Sequence, residues 1–152
     1  MLLRDILAQK SRELHTISPD ASFADVVEEL VCFNIGSLLV RESPSGPILG
    51  IITERDILRA QATHKDPLER LQVATFMTRE LITAQSDDDT TVVMGLMTTH
   101  RVRHMPVFDG EELFGIVSIG DIVKAHHDEL EAENQHMRSY INGGSSAAAP
   151  LM

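Results

Sequence analysis

The sequence predicts an α+β fold of two β-α-β-β-α repeats packed about a pseudo-twofold axis, with a further helix at the C-terminus. The first observation is internal repetition: SRELHT at 11–16 recurs as TRELIT at 78–83, and GIITERDIL at 50–58 recurs as GIVSIGDIV at 115–123. The second is that each repeat alternates short apolar runs, turn residues and amphipathic segments. The third is size, because 152 residues with 43% hydrophobic residues suffice for one compact domain. A single repeat buries too little core to be stable alone, so the two repeats are expected to pack together.

Each repeat begins with a short extended segment and an amphipathic helix. The extended segments are predicted at 14–17 and 81–84, and a turn, SPDAS or QSDDD, follows each. Ser22 and Asp89 are the predicted N-caps, because their side chains can accept hydrogen bonds from the first free backbone N–H groups of the helix. Apolar residues at i, i+3 and i+4 spacing form the predicted buried faces, which are Val26, Val27, Leu30 and Val31 in the first copy and Val93, Met94 and Met97 in the second.

Two strands and a second helix complete each repeat. The strands are predicted at 37–41 and 48–53 in the first copy, and at 104–108 and 113–118 in the second. Turns rich in Pro, Ser, Gly and Asp join the strands of each pair. The second helices are predicted to begin near Glu54 and Ile119.

These elements predict the division of the chain into five parts. The predicted ranges are 1–63 for the first repeat, 64–76 for a linker, 77–127 for the second repeat, 128–141 for a C-terminal helical extension and 142–152 for a flexible tail. Val123, Leu130 and Met137 are spaced by seven, but polar residues lie between them. This pattern predicts a solvated helix with one apolar edge, packed on a partner subunit or on its own domain, rather than a long coiled coil.

Charge and composition limit the classes of partner and compartment. The 23 acidic and 13 basic residues give a formal net charge of −10, which disfavours a general nucleic-acid partner. The single cysteine, Cys32, excludes an internal disulfide and is predicted to be a buried apolar residue in a reducing compartment. Charges at Arg4 and Asp5 interrupt any signal-peptide core, and no apolar run has the length of a membrane span. The sequence therefore predicts a cytoplasmic protein with no membrane partner.

The duplicated unit resembles a pair of CBS domains, the family named for cystathionine β-synthase. The resemblance covers roughly residues 1 to 127 and depends on the tandem β-α-β-β-α order and on two matching endings, Gly-x-x-Thr-x-x-Asp at 50–56 and Gly-x-x-Ser-x-x-Asp at 115–121. It implies a regulatory module without catalytic residues. Such pairs bind adenosine-containing ligands, which are AMP, ADP, ATP, NAD or S-adenosylmethionine, in clefts between the repeats. It also implies a homodimer that senses cellular energy and signals to a separate effector protein.

The residue chemistry of the two endings supports a ribose-binding role for Asp56 and Asp121. Each carboxylate lies in the first turn of a helix, where backbone N–H groups and the helix dipole keep it ionised. An ionised carboxylate accepts two hydrogen bonds, which is what a ribose 2′,3′-diol requires. The alternative is a capping box, in which Thr53 or Ser118 caps the helix and the aspartate completes the cap. The two roles are compatible with each other.

A cluster of basic residues lies only in the second repeat. HRVRHMPV supplies Arg101, Arg103 and His104, whereas the aligned residues of the first repeat are Asn34, Gly36 and Ser37. Arginine suits phosphate because its planar fork gives two parallel hydrogen bonds, and a protonated histidine adds a further donor. The alternative is that these are ordinary surface cations that balance nearby acids.

The resemblance assigns residues to two clefts, which we name after their carboxylates. The Asp56 cleft is predicted to contain Ile51, Thr53, Asp56, Ile82, Val102, Arg103 and His104, with Arg101 as an additional phosphate candidate. The Asp121 cleft is predicted to contain His15, Ile35, Ile116, Ser118 and Asp121. Because Gly36 stands where the second repeat has Arg103, we expect unequal affinities, with the Asp56 cleft favoured.

Two rival functions remain open. The chain can be a protein-interaction module whose clefts are vestigial and whose basic cluster binds an acidic partner. Hydrolysis of an adenosine ligand in the same cleft is the enzymatic alternative, but no Gly-x-Ser-x-Gly, Cys/His or glycine-rich phosphate-loop pattern is present. Histidine spacing gives no convincing metal site, since His126 and His127 point to different helix faces. We therefore predict no catalytic cofactor and no bound metal.

Overall fold

A computed structural model of the chain describes residues 1–10 and 13–147, with side chains described up to residue 143. Ser11 and Arg12 of the first repeated motif, and residues 148–152 of the predicted tail, lie outside the described residues. The elements in chain order are α1 (Leu3–Ala8), β1 (Thr16–Ile17), α2 (Phe23–Phe33), β2 (Ser37–Val40), β3 (Gly50–Thr53), α3 (Glu54–Thr63), a 3-10 turn (Leu68–Arg70), α4 (Val73–Phe76), β4 (Ala84–Gln85), α5 (Thr90–His100), β5 (His104–Asp109), β6 (Glu112–Ser118) and α6 (Ile119–Ala147).

The strands form two three-stranded sheets with the same topology. In the first sheet β1 pairs in parallel with β2, and β2 pairs antiparallel with β3. In the second sheet β4, β5 and β6 pair in the same way. The helices α2 and α5 are the crossovers that the parallel pairs require. The predicted pair of β-α-β-β-α repeats is thus confirmed, and the strand bounds differ from the predicted ones by a few residues at most.

The helices that follow the first strand of each repeat begin and end alike. The Ser22 side chain accepts a hydrogen bond from the backbone N–H of Asp25, and the Asp89 side chain accepts one from the backbone N–H of Thr91. Both helices end in a left-handed residue, Asn34 with φ 52° and Arg101 with φ 55°. The two predicted N-caps are therefore confirmed.

A short helix from each repeat packs into the core of the other repeat. Leu3 and Leu7 of α1 are buried with the second repeat, in the core that contains Val93, Met105 and Val117. In the opposite direction, Leu71 and Val73 of the predicted linker, and Met77 directly after it, are buried in the first core with Phe23, Leu38 and Ile52. The cores are consequently built from interleaved rather than contiguous segments.

Backbone bridges fix these exchanged helices. Leu2, before α1, forms a bridge with Asp89 at the start of α5. Gln72, before α4, forms the matching bridge with Ser22 at the start of α2. The corresponding contacts on the two repeats give the pair its pseudo-twofold symmetry.

Two residues of α2 lie differently from the sequence prediction. Val31 is 75% exposed rather than part of the buried face, and Cys32 is exposed rather than buried. The helix turns about 100° per residue. Because Val26 and Leu30 lie at the centre of the buried face, the next two residues, Val31 and Cys32, point toward solvent.

The last helix continues past the predicted extension. The sequence predicts an extension over 128–141 and a tail from 142, whereas α6 runs from Ile119 to Ala147. Its apolar residues Val123, Leu130 and Met137 are all exposed on the single chain.

Candidate functional site

The strand-to-helix turn at Thr53 holds Asp56 in a reciprocal cap. The Asp56 Oδ2 accepts hydrogen bonds from the backbone N–H of Thr53 at 2.9 Å and from its hydroxyl at 3.1 Å. The backbone N–H of Asp56 points back to Thr53 Oγ1 at 3.4 Å. Asp56 is buried, and its other oxygen, Oδ1, accepts a hydrogen bond from Thr78 Oγ1 at 3.4 Å. Both oxygens of this carboxylate therefore have partners within the protein.

The matching turn at Ser118 holds Asp121 in the same way. The Asp121 Oδ2 accepts from the backbone N–H of Ser118 at 2.9 Å, and the backbone N–H of Asp121 donates to Ser118 Oγ at 3.0 Å. The helix begins at Ile119, whose backbone N–H donates to the carbonyl of Arg103 at 2.9 Å. The predicted capping boxes are thus present in both repeats, and they orient both carboxylates.

The chain after α4 covers the Asp56 turn closely. A Cβ atom added to Gly50 would lie 2.7 Å from the carbonyl oxygen of Thr78 and 2.9 Å from Met77 Sδ. At the equivalent Gly115 the nearest atoms, from Leu7, are at an ordinary 3.5 Å. The first repeat is therefore more tightly covered at this position than the second.

A groove along α3 adjoins Asp56, but most predicted partners lie elsewhere. The groove is lined by Asp56, Arg59, Ala60, Ala62, Thr63, Phe76 and Thr78. Of the seven residues predicted for the Asp56 cleft, only Asp56 lines it. Ile51 and Thr53 lie on the adjacent strand β3 and its end. Ile82 and Val102 pack on the second core, and Arg103 is exposed.

The residues predicted for the Asp121 cleft lie together around one cavity. Its volume is about 270 Å³, and it lies between the two repeats. The lining comprises Leu7, Lys10, Glu13, Leu14, His15, Asn34, Ile35, Gly36, Ser37, His104, Phe114, Gly115, Ile116, Ser118 and Asp121. All five predicted residues are among them. Apolar walls with a few convergent polar groups are typical of a small-molecule site.

An aromatic pair lies at the first-repeat wall of this cavity. The imidazole of His15 stacks on the ring of Phe33 with centroids 3.9 Å apart and an interplanar angle of 24°. His15 Nε2 is also 3.9 Å from Glu13 Oε2. Phe33 supports the ring of His15 from outside the cavity lining, and His15, Ile35 and Ile116 give the lining one flat and two apolar surfaces that suit a purine base.

Lys10 is a polar residue of this site that the sequence did not predict. Its Nζ donates to Asp121 Oδ2 at 2.9 Å and to the carbonyl of Ile116 at 3.3 Å. Burial raises the pKa of Asp121, but the Lys10 hydrogen bond, the Ser118 backbone N–H and the Lys10 charge together lower that pKa below its ordinary value. Lys10 directly precedes the repeated SRELHT motif, and its counterpart before TRELIT is Met77. The sequence signal for Lys10 is therefore this difference between the repeats, a charged lysine in one copy and an apolar methionine in the other.

His104 lies at the same cavity rather than beside Asp56. It pairs with Ser118 across β5 and β6, and its ring extends toward the first repeat, where a Cβ on Gly36 would be 3.0 Å from Nε2. Burial and the charge of Lys10 lower the pKa of His104 below 6.5, against the opposing effect of Glu54. The lowered pKa favours the neutral imidazole, and a phosphate role for His104 remains a prediction.

The two arginines of the basic cluster are exposed. Arg101 is the left-handed C-cap residue of α5, and Arg103 precedes β5. Neither lines the cavity beside Asp121 or the groove beside Asp56. A phosphate role for Arg101 and Arg103 remains a prediction.

Comparison with known proteins establishes the family. The CBS domain family matches residues 3–63 and 73–128. The chain belongs to the CBS domain family. Among related proteins, it is 37% identical over 128 residues to the mitochondrial CBS domain-containing protein CBSX3 of Arabidopsis thaliana. That match covers 82% of this chain and 62% of the relative.

Solved CBS structures have the same fold as this chain. The CBS-domain containing protein ATU1752 from Agrobacterium tumefaciens superposes with a TM-score of 0.78 at 36% identity, covering 83% of this chain and 99% of the other. The CBS domain pair of protein MJ0100, solved in complex with 5′-methylthioadenosine and S-adenosylmethionine, superposes with a TM-score of 0.73 at 29% identity. The latter match covers 85% of this chain and 98% of MJ0100's CBS pair.

Membrane spans and metal-binding clusters are absent from the part of the chain that the structure describes. No helix within 1–10 or 13–147 is long and apolar enough to cross a membrane. In the same part of the chain, no three His, Cys, Asp or Glu residues are grouped so as to hold a metal ion.

Proposed function

We propose that this chain is a regulatory module that binds an adenosine-containing ligand between its two CBS repeats and signals its presence to an effector protein. The candidate ligands are AMP, ADP and ATP, with NAD and S-adenosylmethionine as further members of the class. The observation that carries the proposal is the inter-repeat cavity, where a capped carboxylate and apolar walls lie together. The ligands of the MJ0100 pair support the adenosine class.

The Asp121 cleft is the proposed principal site. Its five predicted residues line one cavity, whereas Asp56 already shares its carboxylate with Thr53 and Thr78. The sequence predicts the higher affinity for the Asp56 cleft, and that prediction depends on the basic residues near β5 alone. We propose the reverse, because Lys10, which follows α1, contributes a cation to the Asp121 cleft.

Signalling follows from the position of the cavity between repeats. His15 and Ile35 come from the first repeat, and Ile116 and Asp121 come from the second. A ligand that contacts both repeats favours the relative arrangement in which all these contacts form, so its binding shifts the population of arrangements. We propose that an effector protein and the other subunit of a cytoplasmic homodimer respond to this shift.

Titration with candidate ligands tests the proposal. Isothermal calorimetry and thermal unfolding would be measured with AMP, ADP, ATP, NAD and S-adenosylmethionine on the wild type, Asp121→Asn and Asp56→Asn. At one hundred times its Kd, a ligand stabilises the folded chain by about 2.7 kcal/mol, or about 5–10 °C in Tm for this chain length. We expect Asp121→Asn to remove most of this effect and Asp56→Asn to remove less.

A protein-interaction module with vestigial clefts is the second candidate. The internal partners of the Asp56 carboxylate favour it for that cleft, and the exposed Arg101 and Arg103 offer a surface for an acidic partner. Absence of binding by all five ligands would reject nucleotide sensing and leave this function in its place. Slow conversion of a bound ligand to products, followed by chromatography, would instead indicate an enzyme.

A further inference from the structure

We propose that Lys10 makes the Asp121 cleft selective for adenosine ligands that carry a negative charge on the 5′ side. This inference rests on the proposed function and specifies the chemical class of ligand that the cleft accepts. Phosphorylated adenosine ligands are then preferred over uncharged ones, and uncharged ones over those with a positive sulfonium.

The backbone of Lys10 is fixed by the second core. Leu3 and Leu7 of α1 are buried in that core, and the Lys10 backbone N–H donates to the carbonyl of Leu7 at 3.2 Å. The lysine side chain crosses from this anchor to the turn at Asp121, where its Nζ lies 2.9 Å from Oδ2. A cation thus reaches the cleft from before β1, although the position aligned with Arg103 is a glycine, Gly36.

The ion pair between Lys10 and Asp121 can be exchanged at small cost. The side chains of Lys10 and Asp121 are 42% and 26% exposed, and solvent-accessible ion pairs contribute about 0–1 kcal/mol. A ribose diol can replace the ammonium at the carboxylate, since it supplies hydroxyl donors for the same oxygens. The displaced ammonium then requires a new anion, and a 5′ phosphate provides one within the same cavity.

Lys10 is the residue of the cavity whose charge can attract a phosphate. Of the lining residues that the structure describes, Lys10 is the one lysine or arginine. His104 faces the same space, and its lowered pKa favours the neutral imidazole. Glu13 also lines the cavity, but its side chain is 78% exposed, so water and salt screen its charge.

The Asp56 carboxylate has a different partner. Thr78, from the chain after α4, donates its hydroxyl to Oδ1 at 3.4 Å, where Asp121 has the ammonium of Lys10. Arg59 also lines the groove beside Asp56, but no ion pair joins it to that carboxylate among the described residues. The exchange of a carboxylate-bound ammonium onto a phosphate is therefore proposed for the Asp121 cleft.

Calorimetric titration with three ligands of different charge tests the inference. The probes are AMP, 5′-methylthioadenosine and S-adenosylmethionine, and the proteins are the wild type, Lys10→Gln, Lys10→Glu and the control Lys65→Gln. Binding that Asp121→Asn abolishes is assigned to this cleft. Lys65 is exposed, lines neither cavity nor groove, and its substitution changes the net charge equally.

The expected result is a change in ligand order. Lys10→Gln weakens AMP binding about ten- to hundredfold, the range expected for losing one charge-assisted hydrogen bond. The affinity for 5′-methylthioadenosine changes less than about threefold, and Lys10→Glu makes S-adenosylmethionine the preferred ligand over AMP. Lys65→Gln leaves all three affinities unchanged. Unaltered circular dichroism of the variants shows that they fold, as the partial exposure of Lys10 predicts.

Failure of this inference is distinguishable from failure of the proposed function. If Lys10→Gln binds AMP as tightly as the wild type does, charge selection by Lys10 is rejected while nucleotide binding stands. An equal loss for all three ligands also overturns the inference, since it indicates lost packing rather than lost charge. If the wild type binds none of these three ligands and none of ADP, ATP and NAD, both the proposed function and this inference are rejected.

Discussion

Ile51 and Thr78 exchange two backbone hydrogen bonds, each with an N–O distance of 2.9 Å. The chain leaving α4 is thereby held against the edge of β3, close above the turn that carries Asp56. This bridge brings the Thr78 hydroxyl to the carboxylate and explains why the position before Ile51 is a glycine. The equivalent position in the second repeat, Gly115, has no such close contact.

Gly50→Ala is therefore expected to destabilise the protein, whereas Gly115→Ala is not. The added methyl group at residue 50 would meet a backbone carbonyl at 2.7 Å, and the bridge would have to shift. We expect a loss of about 1–3 kcal/mol in the free energy of unfolding, measured by urea denaturation. Gly115→Ala is the matched control, with an expected change of about 0.5 kcal/mol or less. Equal losses in both variants would contradict this account of the bridge.

The parts of the fold that were predictable are encoded locally. A strand that ends in Thr53 or Ser118 and continues into a helix with an aspartate at the third position produces the cap observed in both repeats. Because the sequence is repeated, the elements predicted in one copy could be compared with those predicted in the other. The carboxylates at the centre of the candidate site could thus be located without coordinates.

The parts that were missed depend on contacts between distant segments. Lys10 and Asp121 are 111 residues apart in the sequence, and neither the periodicity nor the motifs of one repeat report that they meet. Similarly, the sequence of α1 contains apolar residues, but it does not indicate that they are buried in the core of the second repeat. His104 lies beside the Asp121 turn because the register of β5 against β6 places it there, and register is a property of the pair of strands.

Exchange of α1 into the second core predicts that the first ten residues stabilise the whole protein. Leu3 is fully buried, so Leu3→Ala is expected to reduce the free energy of unfolding by about 2–5 kcal/mol. Leu2→Ala is the control, because Leu2 is 36% exposed and should cost about 1 kcal/mol or less. Thermal and chemical denaturation measure both. A Leu3→Ala variant as stable as the Leu2→Ala variant would show that α1 is not part of the core in solution.

The proposed homodimer predicts a role for exposed apolar residues at equivalent helix positions. Leu58 on α3 and Val123 on α6 both lie five residues after their helix caps, and they are 71% and 54% exposed. Apolar side chains in such positions are candidates for an interface between subunits. We expect light scattering to give twice the 16.8 kDa chain mass for the wild type and a single chain mass for the Leu58→Asp, Val123→Asp double variant.

Met137→Asp is the control for that experiment. Met137 is 62% exposed and lies farther along α6, outside the two repeats. A dimer that persists in this variant but not in the double variant would support an interface on α3 and the first turns of α6. The opposite pattern would move the interface to the C-terminal part of α6.

The contact between the repeats at His104 predicts a pH dependence of stability. Its imidazole lies against Gly36 and near Lys10, Arg103, Glu54 and Asp121. Burial, followed by the charge of Lys10, lowers the folded-state pKa below the unfolded value of 6.5. Between those two pKa values the unfolded chain binds more protons than the folded chain does, so the free energy of unfolding rises with pH in that window.

The expected outcome is a fall in stability as the pH decreases from 7.5 through 6.5 toward the lower folded-state pKa of His104. His104→Gln cannot take up the proton, so its free energy of unfolding should depend less on pH over the same interval. Urea denaturation at successive pH values measures the slope for each protein. His136→Gln is the control, because this histidine is exposed on α6 and the variant should keep the wild-type slope. If His104→Gln also keeps that slope, the pH dependence arises elsewhere, and the assignment of a lowered pKa to His104 is wrong.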